Sequence, residues 1–261
     1  MGGTGTHKRA PRGNVIGWSA ASARRLTQKL YQVHAPSLNG YGYAVTLTMR
    51  DTPPDSETFH RLRAAWLKRL ARMGVDRVQW VIEWQRRGTP HIHAAVYAPN
   101  ELSVGERNML VAHWVLVAGE YGVELGSQDV NDISGSIGWL KYLSKHAARG
   151  ANHYQRSGNP TGWEKTGRLW GFVGDWPLVE PVVFDHLSND EFYRLRRVCR
   201  AWARADAAKN QDWKRLAYLR RAGRPNNAYE SRFRGISEWI SSDDMLRLVE
   251  YWQREARTNL P

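Results

Sequence analysis

Two short runs hold the residues of this chain whose types and spacing can do chemistry. The first is Pro90-His91-Ile92-His93-Ala94. On a β-strand, residues i and i+2 project from one face, so His91 and His93 stand together while Ile92 turns into a core. Two neutral imidazoles a few Å apart are half of a divalent-metal site. Glu83 lies eight residues before His91, where the partner strand of a hairpin would carry its carboxylate to the same face. Two nitrogens and one oxygen leave coordination positions open for substrate oxygens, and such a set admits Mg2+, Mn2+ or Zn2+. The second run is Gly138-Trp139-Leu140-Lys141-Tyr142-Leu143-Ser144-Lys145-His146. On a helix, Tyr142, Lys145 and His146 share a face at i, i+3 and i+4. A tyrosine hydroxyl attacks a phosphodiester when its proton is removed and the phosphate is polarised.

The elements that must position these groups follow from periodicity. Tyr41–Arg50 alternates with β-branched residues and reads as a strand. Phe59, Leu62, Trp66, Leu70 and Met73 recur at helical spacing up to Gly74, with Arg61, Arg63, Lys68, Arg69 and Arg72 on the other face. Val75–Trp84 alternates again, Arg86–Pro90 is a turn, and His91–Tyr97 completes a hairpin. Ser103 and Glu106 have capping-box spacing and open a helix to about Gly119. A short strand over Asp129–Ile133 precedes a helix from about Gly135 to Arg149. Residues 150–168 form a Gly/Asn/Ser/Thr-rich loop, and Leu169–Val173 and Val179–Phe184 supply further strands. From Asn189 the pattern is helical and rich in Arg and Trp, with a break at Gly223–Asn227. This order implies an α+β fold: a central antiparallel sheet flanked by helices, with a helical C-terminal extension. The expected domains are a basic arm over 1–36, a catalytic domain over 37–188 and a basic extension over 189–261.

Composition bounds the function. The chain has 261 residues, 42% of them hydrophobic, which excludes a wholly disordered basic tail. Cys199 stands alone, so an intrachain disulfide and a cysteine zinc cage are both excluded. The chain contains no apolar run long enough for a membrane span, and its first residues lack the apolar stretch of a secretion signal. The expected location is therefore the cytoplasm. The formal charge of +13 points to a polyanionic partner, with nucleic acid first. That excess lies wholly in the flanks: residues 1–36 carry six bases and no acid, residues 191–261 carry 16 bases and 9 acids, and residues 37–190 balance. Arginine supplies 30 of the 38 bases, as bidentate phosphate contact favours, although a GC-rich coding genome gives the same bias. Trp163, Trp170 and Trp176 are candidate stacking platforms for bases, with core packing the competing role.

Three motifs in order resemble the HUH endonucleases: the strand Val45-Thr46-Leu47-Thr48, the run His91-Ile92-His93, and the helical pair Tyr142 and Lys145. More narrowly, the set is similar to rolling-circle replication initiators of bacterial plasmids and single-stranded DNA phages. The likeness spans roughly residues 14–185 and includes Arg12-Gly13, Gly17-Trp18-Ser19 and Gly167-Arg168-Leu169-Trp170-Gly171. It implies a divalent ion, Mn2+ or Mg2+, on Glu83, His91 and His93. Tyr142 would attack the scissile phosphate, leaving a 5′-phosphotyrosine and a free 3′-OH, with Lys145 stabilising charge beside it. The implied partners are single-stranded DNA at a replication origin and a host helicase and polymerase, in a bacterial cytoplasm. The sequence contains no GxxxxGK[ST] run, so no P-loop helicase is expected within it. One turn before Tyr142 stands Gly138, which implies a single-tyrosine enzyme. The competing readings are a relaxase or transposase of the same chemistry, a metal-dependent hydrolase using water, and a DNA-binding protein without catalysis.

Overall fold

Strands β2 (Arg77–Trp84) and β3 (Pro90–Ala98) form an antiparallel hairpin that sets Glu83 directly opposite His91. Its turn closes through Gln85 N donating to Thr89 O at 2.8 Å, and Gly88 takes a left-handed φ of 86° that a side chain would disfavour. Strand β1 (Tyr41–Leu47) pairs antiparallel with β3, β4 (Asp129–Ile133) with β1, and β5 (Trp170–Val173) with β2. The result is a five-stranded antiparallel sheet in the order β4-β1-β3-β2-β5. With its flanking helices and a helical C-terminal region, the fold is α+β, as the element order implies.

In this computed structural model, the described residues are 14–135, 151–180, 188–222 and 242–258, together with Gly138, Trp139, Tyr142, His146 and Arg149. Compact units span Met1–Val179 and Glu180–Pro261. Among the described residues, no helix is long and apolar enough to cross a membrane.

One face of the sheet is apolar. Val78, Trp80, Ile82 and Trp84 of β2 lie there with Ile92, Ala94 and Val96 of β3, all buried. Helices α2 (Ser56–Arg72) and α3 (Val104–Ala118) pack against each other, tied by Trp66 Nε1 donating to Leu110 O at 2.8 Å. Arg63 of α2 lies 3.8 Å over the Trp80 ring; Phe59 packs tilted on Trp163, which meets Trp84 edge to face. Helix α2 starts because the Asp55 carboxylate accepts from Thr58 N, and α3 because Ser103 and Glu106 close a reciprocal capping box.

The differences from the sequence expectation have local causes. Strand β1 ends at Leu47 rather than Arg50, because Thr48 N turns to the Gln128 side chain and Arg50 N to Tyr121 O. Helix α1 (Ala20–Tyr31) occupies a stretch for which no element was expected. It is capped by Ser19, and Ala23, Leu26 and Leu30 are buried, a stripe diluted in sequence by Arg24, Arg25 and Lys29. Trp163 and Trp176 are buried, and their indoles donate to Pro53 O and Val173 O, which makes them core residues rather than stacking platforms.

The second unit contains α4 (Asn189–Lys209), α5 (Trp213–Ala222) and α6 (Ser242–Thr258). Leu195 and Cys199 of α4 pack with Trp252 of α6 in a small core. The break at Gly223–Asn227, most of the Val179–Phe184 stretch and the Arg12-Gly13 pair lie outside the described residues.

Candidate active site

The other face of the sheet is buried but polar. Gln79 and Glu83 are fully buried on β2, with His91 and His93 each 7% exposed on β3. The hairpin register forces this grouping: Glu83 opposes His91, and Val81, two residues away on the same face, opposes His93. One ligand atom from each of Glu83, His91 and His93 lies within 4.8 Å of the others. His93 Nε2 is 3.6 Å from Glu83 Oε2, and the two imidazole rings meet edge to face at 4.5 Å. Thr46 of β1, opposite His93, brings its hydroxyl to 3.2 Å from His93 Nδ1. That contact orients the ring with Nε2 toward Glu83, as an outer hydrogen bond does for a ligating histidine. Two imidazoles and a carboxylate in this grouping fit a divalent cation.

Gly138, Trp139, Tyr142 and His146 are helical and lie over this polar face. Tyr142 Oη donates to Gln79 Oε1 at 2.8 Å. Tyr142 stacks on Trp139 at 5.7 Å and meets His146 at 4.7 Å, and His146 meets His93 at 5.0 Å. A continuous series of rings thus links the tyrosine to the two histidines. Burial is the main cause that lifts the Tyr142 phenol well above its usual range; Glu83 and Tyr97 add to it, and Arg149 opposes it. Lys145 lies outside the described residues.

Glu83 is also the anchor of two arginines. Arg156 Nε donates to Glu83 Oε1 at 2.8 Å, and Arg149 donates to Glu83 Oε2. Arg156 is itself nearly fully buried, donates to His146 O at 3.1 Å and lies 4.2 Å over the Trp18 ring. Burial lowers its guanidinium pKa, and Glu83 opposes that shift. Two guanidiniums on one carboxylate leave this group net positive, which favours a phosphate and makes a cation at Glu83 depend on the two imidazoles and on the phosphate's own charge. Each carboxylate oxygen keeps a second lone pair for a cation.

Sequence reasoning missed Gln79, Arg149 and Arg156. Gln79 had a readable signal: it shares the odd-numbered face of β2 with Arg77 and Glu83, whereas the even-numbered positions are all apolar. The arginines had none, since they stand 66 and 73 residues from Glu83.

Residues 42–147 match the family described as replication-associated protein ORF2/G2P. A protein of Xylella fastidiosa Temecula1 named for a role in replication is 42% identical over 244 residues, covering 90% of this chain and 92% of its own length. The chain belongs to the replication-associated protein ORF2/G2P family. Within it, a second Xylella fastidiosa replication protein, from strain 9a5c, is 40% identical over 249 residues, with 92% of this chain and 87% of the relative covered. The replication-associated protein G2P of Pseudomonas phage Pf3 is 38% identical over 246 residues, with 93% and 88% covered. No solved structure matches. The family span begins in β1 and ends one residue after His146, so it contains the polar face and Tyr142 but stops short of Arg149 and Arg156.

Proposed function

We propose that this replication-associated protein is a replication initiator of the HUH endonuclease type, which nicks single-stranded origin DNA with Tyr142 as nucleophile. The observation that carries this reading is the packing of Tyr142 over the face that groups Glu83, His91 and His93, with His146 between them. A divalent cation, Mn2+ or Mg2+, held by those three residues would polarise the scissile phosphate. Thr46 keeps His93 oriented, while Arg149 and Arg156 hold the Glu83 carboxylate in place. Tyr142 attacks phosphorus and the 3′-oxygen leaves, so a 5′-phosphotyrosine and a primer end form with no ATP. Lys145 stabilises the charge that develops on the phosphate.

A single tyrosine agrees with the packing around Gly138. A Cβ placed there would come within 2.9 Å of the Ile133 backbone, so the position one turn earlier holds no second tyrosine or any other side chain without displacement. The substrate is single-stranded DNA at an origin, and duplex opening and synthesis fall to a host helicase and polymerase in the bacterial cytoplasm. The basic flanks, residues 1–36 and 189–261, supply salt-dependent grip on DNA, while residues 37–188 do the chemistry.

The test is an SDS-resistant protein–DNA adduct. The full chain with Mn2+ or Mg2+ is offered single-stranded oligonucleotides tiled over both strands of the DNA molecule that encodes it. An adduct that disappears in Tyr142→Phe supports the reading. Cleavage that persists in Tyr142→Phe identifies a water-using hydrolase, and binding without cleavage under both metals identifies a non-catalytic DNA-binding protein. Removing the basic C-terminal unit, residues 180–261, should weaken DNA binding and flatten its salt dependence while sparing cleavage of a short strand.

A further inference from the structure

We propose that Gln79 is a catalytic residue: its amide oxygen holds the Tyr142 hydroxyl, and its amide nitrogen takes a non-bridging oxygen of the phosphate that Tyr142 attacks. The inference rests on the reading of Tyr142 as the nucleophile. Gln79 is fully buried in the middle of β2, yet among the described residues only half of its amide finds a partner. Oε1 accepts from Tyr142 Oη at 2.8 Å, while Nε2 is buried with no hydrogen-bond partner among the described residues. A buried amide N–H is costly to leave unmade, and an ordered water, an ion or a ligand is what completes one in a native protein. The missing partner must be an acceptor, since the group is a donor. A phosphate offers such oxygens, and the two polar atoms of one amide share a carbon. An oxygen bonded to Nε2 therefore brings its phosphorus beside Tyr142 Oη, the near-attack arrangement that transesterification needs.

The strand register leads from Gln79 toward the sheet edge. Gln79 faces Ala95, Ala95 faces Ala44, and Ala44 faces Asn131 on the edge strand β4. Two of this row's side chains are single methyl groups. Burial falls along the row, from fully buried Gln79 and Ala95 to part-exposed Ala44 and exposed Asn131. The next row, Val81, His93, Thr46 and Asp129, brings the His93 level alongside. In the step itself the Tyr142 Oη–P bond forms and the P–O3′ bond breaks. The phenol proton ends on the 3′-oxygen, so the reaction is balanced without a co-reactant. Gln79 neither gains nor loses a proton.

The test uses the full chain and the oligonucleotide that gives the adduct, at saturating DNA. Gln79→Met keeps the volume and deletes both polar atoms. The adduct rate should fall by ~10²–10³-fold, the loss found when one preorganised donor to a developing oxyanion is removed, while half-saturating DNA stays within about threefold. A purely structural role does not move a second readout. In the unsubstituted chain, one phosphorothioate diastereomer at the scissile phosphate should react more slowly, and that penalty should vanish in Gln79→Met. If the methionine variant fails to fold, Gln79→Leu carries the same test, because it also removes the donor and leaves an apolar side chain in a buried position. A Gln79→Met or Gln79→Leu protein that reacts as fast as the parent, or faster, overturns the assignment. So does a phosphorothioate penalty that survives the substitution. If the parent forms no adduct, or Tyr142→Phe still forms one, the nuclease reading itself fails, a result distinct from either of these.

Discussion

The two faces of the central sheet are built from alternate residues of the same strands, and both are buried. On one face Trp80, Ile82, Trp84 and Ile92 meet helix α2 and the Trp163 loop. On the other, Gln79, Glu83, His91 and His93 meet Trp139, Tyr142 and His146. Burying hydrocarbon stabilises, at roughly 25 cal/mol per Å². Burying amides, imidazoles and a carboxylate costs free energy unless each finds a partner. The polar face therefore exists at the expense of stability, and on the proposed function its residues are there for chemistry. The apolar face supplies the rigidity that keeps those groups in register. The division makes a sharp expectation: changes on the polar face should be read in activity, and changes on the apolar face in stability.

Tyr142→Phe should show the division at its largest. It deletes one oxygen, so the DNA adduct is lost altogether. The stability change should stay near 1 kcal/mol, because the lost partner of Gln79 is a neutral hydroxyl. Adduct gels and urea unfolding of the same preparation check both halves. His93→Ala comes next. If His93 holds the proposed cation, its removal should forfeit several kcal/mol of charge stabilisation, a loss of roughly 10²–10⁴-fold in rate. Calorimetric titration with Mn2+ should show a matching loss of metal affinity in the absence of DNA.

Glu83→Ala should break the division instead. Its carboxylate carries Arg149 and Arg156, and Arg156 is itself buried. Truncating one partner of a buried ion pair costs ~3–5 kcal/mol because a charge is left behind. This one variant should lose activity and stability together. An Ala variant as stable as the parent would mean that the guanidiniums find solvent, and that Glu83 serves the chemistry alone.

The apolar side has a titratable group of its own. His60 of α2 hydrogen-bonds Thr166 O at 2.8 Å, and burial, with Arg63 nearby, lowers its pKa from 6.5 to about 4. A depressed histidine pKa means that the unfolded chain takes up the proton first. Its contribution is complete above pH 6.5 and is lost as the pH falls toward about 4, on the order of 3 kcal/mol in all. His60→Gln should flatten the stability profile across that window while the pH profile of adduct formation stays unchanged. A profile that keeps its slope would assign acid sensitivity to the polar face.

Much of this arrangement was legible in the sequence, and the limits have physical causes. Alternation over Val78–Trp84 and His91–Tyr97 located the hairpin, and its short turn implied that Glu83 would meet His91. The Ser103/Glu106 capping box marked the start of α3 to the residue. Local pattern fails where contacts are long-range or diluted. Helix α1 hides its buried stripe among three bases. Arg149 and Arg156 reach Glu83 only after the chain has returned across the sheet. Gln79 lay in plain view, but a single polar residue in an alternating strand carries the same local signal as one facing solvent.

Ile92→Val gives the smallest effect and the finest test of the comparison. Ile92 lies between His91 and His93 in sequence, is fully buried, and opposes Ile82 on the apolar face. Removing one methylene there should cost about 1 kcal/mol. The backbone and both neighbouring imidazoles stay where the strand pleat puts them, so adduct formation should remain within about twofold of the parent, since a strand turns side chain i away from i−1 and i+1. Chevron or urea-midpoint data measure the first number, and single-turnover adduct rates the second. A large fall in rate with so small a change in stability would mean that packing on one face sets the histidine geometry on the other. The two faces would then be a single mechanical unit rather than a scaffold and a site.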